Sequence, residues 1–235
     1  MTPKLIIALD YNNERNALSF VDQLDPGSIA LKIGSELYTY FGPGLVKKLV
    51  TKGFKVFLDL KFHDIPNTVA AACTAAADLG VWMLNVHAAG GLNMMRVAKQ
   101  ALDGYGTDRP LLIAVTVLTS MGEQDLAEIG VVTPVQQQVV RLAKLANMAG
   151  LDGVVSSAQE VKAIKEACGL EFLTVTPGIR LASNGRDDQA RIVTPEHALQ
   201  IGSDFLVVGR PITQAEHPNQ VVNEIIATLS RPNHG

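Results

Sequence analysis

The sequence predicts an α/β fold, a single-domain (β/α)8 (TIM) barrel over residues 1–235 with its active site at the C-terminal ends of the strands. Three observations predict it. Apolar, β-branched runs recur about every 25–30 residues, and helix-period segments lie between them. The runs are nearly continuously apolar, as parallel strands buried on both faces should be. Eight such units in 235 residues fit a closed barrel better than an open doubly wound sheet.

Each predicted element follows from a run or a period. The predicted strands are 5–10, 29–34, 55–61, 82–87, 111–118, 153–157, 172–176 and 205–209. The predicted helices are 14–24, 44–51, 67–79, 92–102, 134–148, 158–166, 195–200 and 221–230. Thr133-Pro134 and Thr194-Pro195 indicate helix starts, because a Thr cap often precedes Pro at the first helical position. Gly42-Pro43-Gly44 predicts a turn, since it lacks the third glycine of a dinucleotide loop.

Composition excludes several classes of function. The chain is 47% hydrophobic with a formal net charge of −3 and has no basic tract, so we expect no nucleic-acid partner. No apolar run approaches the ~20 residues of a membrane span, and the first residues show no signal-peptide pattern. Cys73 and Cys168 lack metal-type spacing and are interpreted as reduced cysteines of a cytoplasmic protein. The five histidines form no i, i+4 pair, so we expect no zinc site.

A charged cluster follows the third apolar run. Asp59 and Lys61 are two residues apart, so in a regular strand they share a face, and Asp64 lies where the chain can curl back over the strand end. A lysine between two carboxylates is costly to build and is seldom present for stability. Such a lysine stays protonated and can deliver a proton to a bound molecule. We therefore expect this cluster to be the reactive centre.

Other polar groups follow the remaining strands. In barrels of this kind the C-terminal strand ends meet at one rim. The groups predicted there are Asp10, Lys32, Asp59, Lys61, His87, Thr119, Ser120, Ser156, Ser157, Thr176-Pro177-Gly178 and Gly209-Arg210. The alternative is a solvated rim of ion pairs, each worth about 0–1 kcal/mol. Five charges at the ends of three strands are too concentrated for it: Asp10, Lys32, Asp59, Lys61 and Asp64. His87 is interpreted as a hydrogen-bonded rim histidine rather than a ligand contact.

Two strand ends carry signals for phosphate. Gly209 lets an oxyanion approach the backbone N–H, and Arg210 can grip phosphate bidentately. Barrels often bind phosphate after the seventh and eighth strands. Arg180 ends the seventh strand region and opens a polar stretch, 181–191, that is typical of a mobile lid. Gln189 near its end could donate to the same phosphate.

With these residues assembled, the chain resembles the orotidine 5′-phosphate decarboxylase family, in the form found in many bacteria. The match runs through essentially the whole length. It rests on motifs at the strand ends: 8–10, 31–34, 58–68, 175–180, 188–189 and 208–210. A bare Asp-x-Lys-x-x-Asp is a weak pattern, whereas the full set in this order is very specific.

The resemblance implies a reaction and a role for each residue. Orotidine 5′-monophosphate loses carbon dioxide without a cofactor or metal, and Lys61 protonates C6 of the pyrimidine. Lys61 is flanked by Asp59 of its own chain and by Asp64 of the partner subunit, so the resemblance implies a homodimer. Lys32 extends the chain of charges. The residues implied on the substrate are Asp10, Lys32, Thr68 of the partner subunit, Ser120 or less favourably Thr119, Pro177, Arg180, Gln189, Gly209 and Arg210.

Two other functions compete with this reading. Hexulose-phosphate synthases and keto-gulonate-phosphate decarboxylases are similar barrels that share Asp-x-Lys-x-x-Asp but use Mg²⁺ bound by an acidic residue after the second strand. This chain has Lys32 there, and a cation would repel Mg²⁺. The second alternative is a catalytically inactive sensor of phosphate ligands, which the intact set of Asp59, Lys61 and Asp64 argues against.

Overall fold

Eight parallel strands close into a barrel in which β8 pairs with β1. The computed structural model of the protein describes residues 2–179 and 193–229. The strands are β1 Leu5–Ala8, β2 Ala30–Gly34, β3 Lys55–Phe62, β4 Met83–His87, β5 Leu111–Val115, β6 Gly153–Val155, β7 Leu173–Thr176 and β8 Phe205–Val208. All eight predicted strands and the (β/α)8 barrel are therefore confirmed.

Helices pack around the barrel between successive strands. Within the described residues they are α1 Glu14–Val21, α2 Ser35–Thr51, α3 Pro66–Asp78, α4 Gly91–Ala101, α5 Glu123–Glu128, α6 Val135–Met148, α7 Val161–Cys168, α8 Pro195–Gln200, α9 Arg210–Thr213 and α10 Pro218–Leu229. Short 3-10 turns cover Ala88–Gly90, Asp103–Asp108 and Ala158–Glu160. Within those residues no helix is long and apolar enough to cross a membrane.

Some of the helix predictions need correction. The helix predicted over 44–51 begins at Ser35, and the predicted turn is a kink inside it, where Gly42 has φ 60° and Pro43 follows. The predicted cap at Thr133 is wrong by one residue, because Pro134 itself occupies the cap position of α6. The short helices α5 and α9 were not predicted. The cap at Thr194 is confirmed, since its side chain accepts the N–H of His197.

The core has an inner and an outer layer. Alternate strand residues point inward and fill the barrel, whereas their neighbours pack against the helices. The inner layer consists of Ile6, Ala8, Ala30, Phe57, Met83, Ile113, Val175, Phe205 and Val207. These residues fill the interior of the barrel, so a ligand site belongs at its rim, where the strands end.

Two aspartates tie the opposite end of the barrel together. The carboxylate of Asp152, just before β6, accepts both guanidinium nitrogens of Arg109 at 2.8 and 2.6 Å and the N–H of Leu112 at 2.7 Å. Asp204, just before β8, accepts Lys165 Nζ at 2.7 Å and the N–H and hydroxyl of Thr174 at 2.7 and 2.9 Å. These charges lie at the strand starts, where polar groups in barrels serve stability rather than catalysis.

Candidate active site

Four charged side chains alternate in sign across the ends of the first three strands. Lys61 Nζ lies 2.7 Å from Asp59 Oδ1, and Lys32 Nζ lies 3.4 Å from Asp59 Oδ2 and 3.9 Å from Asp10 Oδ1. The side chain of Asp59 is 12% exposed and that of Lys32 is 14% exposed. Opposite charges about 4 Å apart attract by roughly 4 kcal/mol at an effective dielectric near 20. The predicted cluster therefore exists, and each cation in it contacts at least one carboxylate.

Two glycines make room for this row of charges. A Cβ atom on Gly34 would lie 3.1 Å from Lys32 Nζ, and one on Gly209 would lie 3.2 Å from Asp10 Oδ2. Both spacings are tighter than ordinary van der Waals contact, so a larger residue would push the charged groups aside. Because β1 pairs with both β2 and β8, barrel closure brings Gly209 against Asp10.

The contact between Lys61 and Asp59 forms within an irregular part of β3. Against β4, strand β3 advances four positions from Leu58 to Phe62, whereas β4 advances two, from Leu84 to Val86. Within this bulge Lys61 has φ 53°, in the left-handed region that non-glycine residues rarely adopt. The prediction that both side chains point the same way is confirmed, but the cause is a bulge rather than the regular pleat.

A cavity of about 190 Å³ opens beside the charges. Lys32, Asp59 and Lys61 form one side of it. The remaining lining residues, almost all apolar, are Phe57, Val115, Val117, Leu118, Thr119, Val155, Val175, Pro177 and Val207. A flat, partly apolar ring fits such walls, and a charge that develops at its edge would face the lysines.

Some of the residues predicted to contact the ring line the cavity, and one does not. Pro177 and Thr119 both line the cavity, whereas Ser120 is exposed next to Thr119. Sequence reasoning favoured Ser120, whereas of the two residues Thr119 is the one that lines the cavity. Which of the two contacts the pyrimidine stays a prediction.

Asp64 and Thr68 lie outside the charged row of their own protomer. Asp64 is exposed, and its carboxylate accepts the N–H of Ile65 at 2.6 Å. Thr68, in the first turn of α3, is exposed as well, and Ile65 between them is 67% exposed. Within the described part of the chain no ion pair joins Asp64 to Lys61. This segment is therefore presented outward at the rim.

The structure describes two of the four residues predicted to bind phosphate. Gly209 and Arg210 follow β8 at the rim, and Arg210 opens α9. Arg180, Gln189 and the predicted lid at 181–191 lie outside the described residues.

His87 ends β4 next to the cluster. Its ring lies 5.6 Å from that of His63, centroid to centroid. Burial lowers the pKa of His87, the neighbouring His63 and Lys61 lower it further, and the Asp59 carboxylate opposes them without reversing the shift. The imidazole is therefore neutral at pH 7. In the described parts of the chain no group of three or more His, Cys, Asp or Glu side chains is arranged to hold a metal ion.

Sequence reasoning missed Asn85. This residue lies in the middle of β4, is 0% exposed, and hydrogen-bonds to both Asp59 and Lys61. A signal was present, because Asn85 is the polar residue inside the apolar run Met83–His87 and lies two positions from the inward-facing Met83.

Comparisons with known proteins match nearly the whole chain. Residues 3–225 match the model of a family described as "Orotidine 5'-phosphate decarboxylase / HUMPS family". A protein named orotidine 5′-phosphate decarboxylase from Legionella pneumophila (strain Paris) is 62% identical over 229 residues, covering 97% of this chain and 100% of that one. A protein of the same name from Aliivibrio fischeri (strain MJ11) is 59% identical over 227 residues, 97% of each chain. The crystal structure of orotidine 5′-phosphate decarboxylase from Lactobacillus acidophilus superposes with a TM-score of 0.88 at 41% identity, covering 98% of this chain and 100% of that one.

Proposed function

The chain belongs to the orotidine 5′-phosphate decarboxylase / HUMPS family and is an enzyme of the carboxy-lyase class, and we propose that it converts orotidine 5′-monophosphate to uridine 5′-monophosphate and carbon dioxide without a cofactor. This reaction is the last step of de novo pyrimidine nucleotide synthesis. The observation that carries the proposal is the Lys61 ammonium, held 2.7 Å from Asp59 at the edge of a cavity with apolar walls.

Lys61 has the position that the chemistry requires. When the bond between C6 and the carboxylate breaks, carbon dioxide leaves and the electron pair stays on C6 in the plane of the ring. The ring π system cannot delocalise a pair in that orientation, so stabilisation has to come from outside the ring. An ammonium at the ring edge stabilises the developing charge where it appears. It then donates one proton to form the C6–H bond, and the neutral amine regains a proton from water.

The neighbouring charges hold the lysine and the substrate. Asp59, beside Lys61, faces the substrate carboxylate and raises the ground-state energy by repulsion. Asp10 and Lys32, 3.9 Å apart, hold ribose hydroxyls. Because Lys32 also lies 3.4 Å from Asp59, it limits the negative charge that the site carries when the substrate carboxylate enters.

Gly209 and Arg210, with Arg180 and Gln189, bind the 5′-phosphate in this proposal. The phosphate is remote from C6, so its binding energy is available to order the site around the ring rather than to react. Gly209 supports this role because it has no Cβ and follows the last strand at the rim.

A magnesium-dependent reaction of the same family is disfavoured by Lys32. This side chain occupies the end of β2, where its ammonium contacts Asp59 and Asp10. The ammonium would repel a magnesium ion at that place. The carboxylates that could bind the ion, those of Asp10 and Asp59, already contact Lys32.

We also propose that two copies of the chain form each active site. Asp64 and Thr68 are exposed at the rim and separated from the Lys61 of their own protomer, which supports their delivery to a neighbouring copy. The exposed Ile65 between them supplies apolar area for such a contact. The partners are then a second copy and the nucleotide, with no nucleic acid.

A cytoplasmic location is proposed because Cys73 and Cys168 are both free thiols.

The test is an ultraviolet assay of orotidine 5′-monophosphate with the purified chain, before and after dialysis against EDTA. We expect the substrate absorbance to fall at the same rate in both samples, because Lys61 rather than a metal acts on C6. Folded protein that binds uridine 5′-monophosphate but leaves the substrate unchanged would refute the proposal. Activity that disappears with EDTA and returns with Mg²⁺ would replace it by the magnesium-dependent reaction.

A further inference from the structure

The side-chain amide of Asn85 hydrogen-bonds at one end to Asp59 and at the other end to Lys61. Its Nδ2 donates to Asp59 Oδ1 at 2.7 Å, and its Oδ1 accepts the backbone N–H of Lys61 at 2.8 Å. The reversed amide would set an oxygen against the carboxylate and an NH₂ group against an N–H, so only one orientation satisfies both partners. Asp59 Oδ1 also contacts Lys61 Nζ at 2.7 Å. The contacts therefore close a loop that begins and ends on Lys61.

The bulge explains why an amide is needed there. The two extra residues in β3 interrupt its ladder with β4 between Leu58 and Phe62. The left-handed backbone of Lys61 costs roughly 1–2 kcal/mol for a non-glycine residue. The side chain of Asn85, which lies on β4 opposite the bulge, supplies the acceptor that the broken ladder no longer gives to the Lys61 N–H. One buried side chain therefore fixes both the backbone of Lys61 and the carboxylate that its ammonium contacts.

We propose that Asn85 is a positioning residue for the reaction: it holds the backbone of Lys61 and the carboxylate of Asp59 in the relation that aims the ammonium at C6. This inference rests on the proposed function. Asn85 is 0% exposed and lies beneath the cavity rather than in its lining, so it acts through Lys61 and Asp59 and not on the substrate.

The first experiment compares Asn85→Ala with Val86→Ala. Val86 is equally buried on the same strand, faces the outer core, and makes no polar side-chain contact. We expect Asn85→Ala to lower kcat by about 10–100-fold with KM changed by less than about 3-fold, since a displacement of about 1 Å at the reacting group has this effect. Val86→Ala should lose a similar amount of thermal stability and keep kcat within about 3-fold of the parent.

Equal kcat values for the two variants would overturn the inference. A crystal structure of Asn85→Ala gives a readout that needs no turnover: Lys61 should leave the left-handed region or turn its ammonium away from Asp59. An unchanged Lys61 and Asp59 in that structure would also overturn the inference. Failure of the parent chain to decarboxylate orotidine 5′-monophosphate would instead refute the proposed function, so the two failures are distinguishable.

Asn85→Asp provides a second variant of almost identical shape. It still accepts the Lys61 N–H but sets a second carboxyl against Asp59. The charged or titratable groups around it are Asp59, Lys61 and Lys32 on β2 and β3, and His63 and His87 at the rim, whereas its β5 neighbour is the apolar Ile113. With one proton shared, the two carboxyls keep the single negative charge of the parent and their hydrogen bond. With none, they repel each other.

We therefore expect kcat of Asn85→Asp to fall as pH rises, through a titration step that the parent and Asn85→Ala both lack. The added step is scored as the ratio of variant to parent kcat at each pH, so that any pH dependence common to both enzymes cancels. A ratio that stays flat with pH would contradict the proposed contact with Asp59.

Discussion

Lys61 combines an ammonium that contacts Asp59 with a strained backbone. Its φ of 53° is the only positive value among the non-glycine residues of the described chain. Strain of this kind persists when the surroundings over-determine the conformation, and here Asn85 and Asp59 do so from two sides. The residue is therefore held for the direction of its side chain and not for the regularity of the strand.

This strain predicts an inverted order of stability at position 61. Glycine adopts positive φ without steric cost, so Lys61→Gly should be more stable than Lys61→Ala by about 1 kcal/mol. At Lys55, in the regular part of β3, the order should reverse, with the Gly variant less stable than the Ala variant by about 0.5–1 kcal/mol. Urea unfolding of the four variants measures both differences. A glycine penalty at both positions would show that Lys61 is not strained.

Single residues differ in how far the sequence reveals them. Asp59, Lys61, Lys32 and Asp10 could be predicted because charges directly after apolar runs have few structural uses. Asn85 could not, because its role depends on a register shift in β3 that opens a gap opposite it. Sequence periodicity assumes a regular pleat and contains no information about such a bulge.

Among the elements, strands were easier to predict than helix ends. The strands are buried on both faces, which leaves a nearly unbroken apolar run in the sequence. The first turns of helix α2 were not predicted, because Gly42 and Pro43 interrupt the helical period. Helices α5 and α9 have six and four residues, too few to display a period.

The pairing of β6 with β7 makes a prediction at this scale. A Cβ atom on Gly153 would lie 2.2 Å from the backbone oxygen of Leu173 on the neighbouring strand. That oxygen cannot move without shifting β7, so Gly153→Ala should lose about 2 kcal/mol or more. Gly104 has nothing within 4 Å of its added Cβ, and Gly104→Ala should stay within about 0.5 kcal/mol of the parent. Chemical denaturation tests the pair, and equal stabilities would contradict the close approach at Gly153.

At the scale of the whole molecule, barrel closure assembles the site. Asp10, Lys32 and Asp59 are far apart in sequence and meet because β1, β2 and β3 are neighbours, and Gly209 joins them through β8. A predicted barrel is therefore enough to predict that these residues gather. It does not determine which protomer supplies Asp64, because a rim segment that points outward leaves no mark on the pattern of strands and helices.

The central claim is that Lys61 acts on C6 in a site completed by a second copy, and the most direct measurement is turnover of orotidine 5′-monophosphate by Lys61→Ala and Asp64→Ala chains, alone and mixed. We expect Lys61→Ala to lose turnover while it still binds uridine 5′-monophosphate, and Asp64→Ala to be strongly impaired. After subunit exchange the mixture should recover up to about a quarter of the parent activity, because a heterodimer contains one intact site. Near-normal turnover by Lys61→Ala alone, or no recovery after verified exchange, would contradict the account.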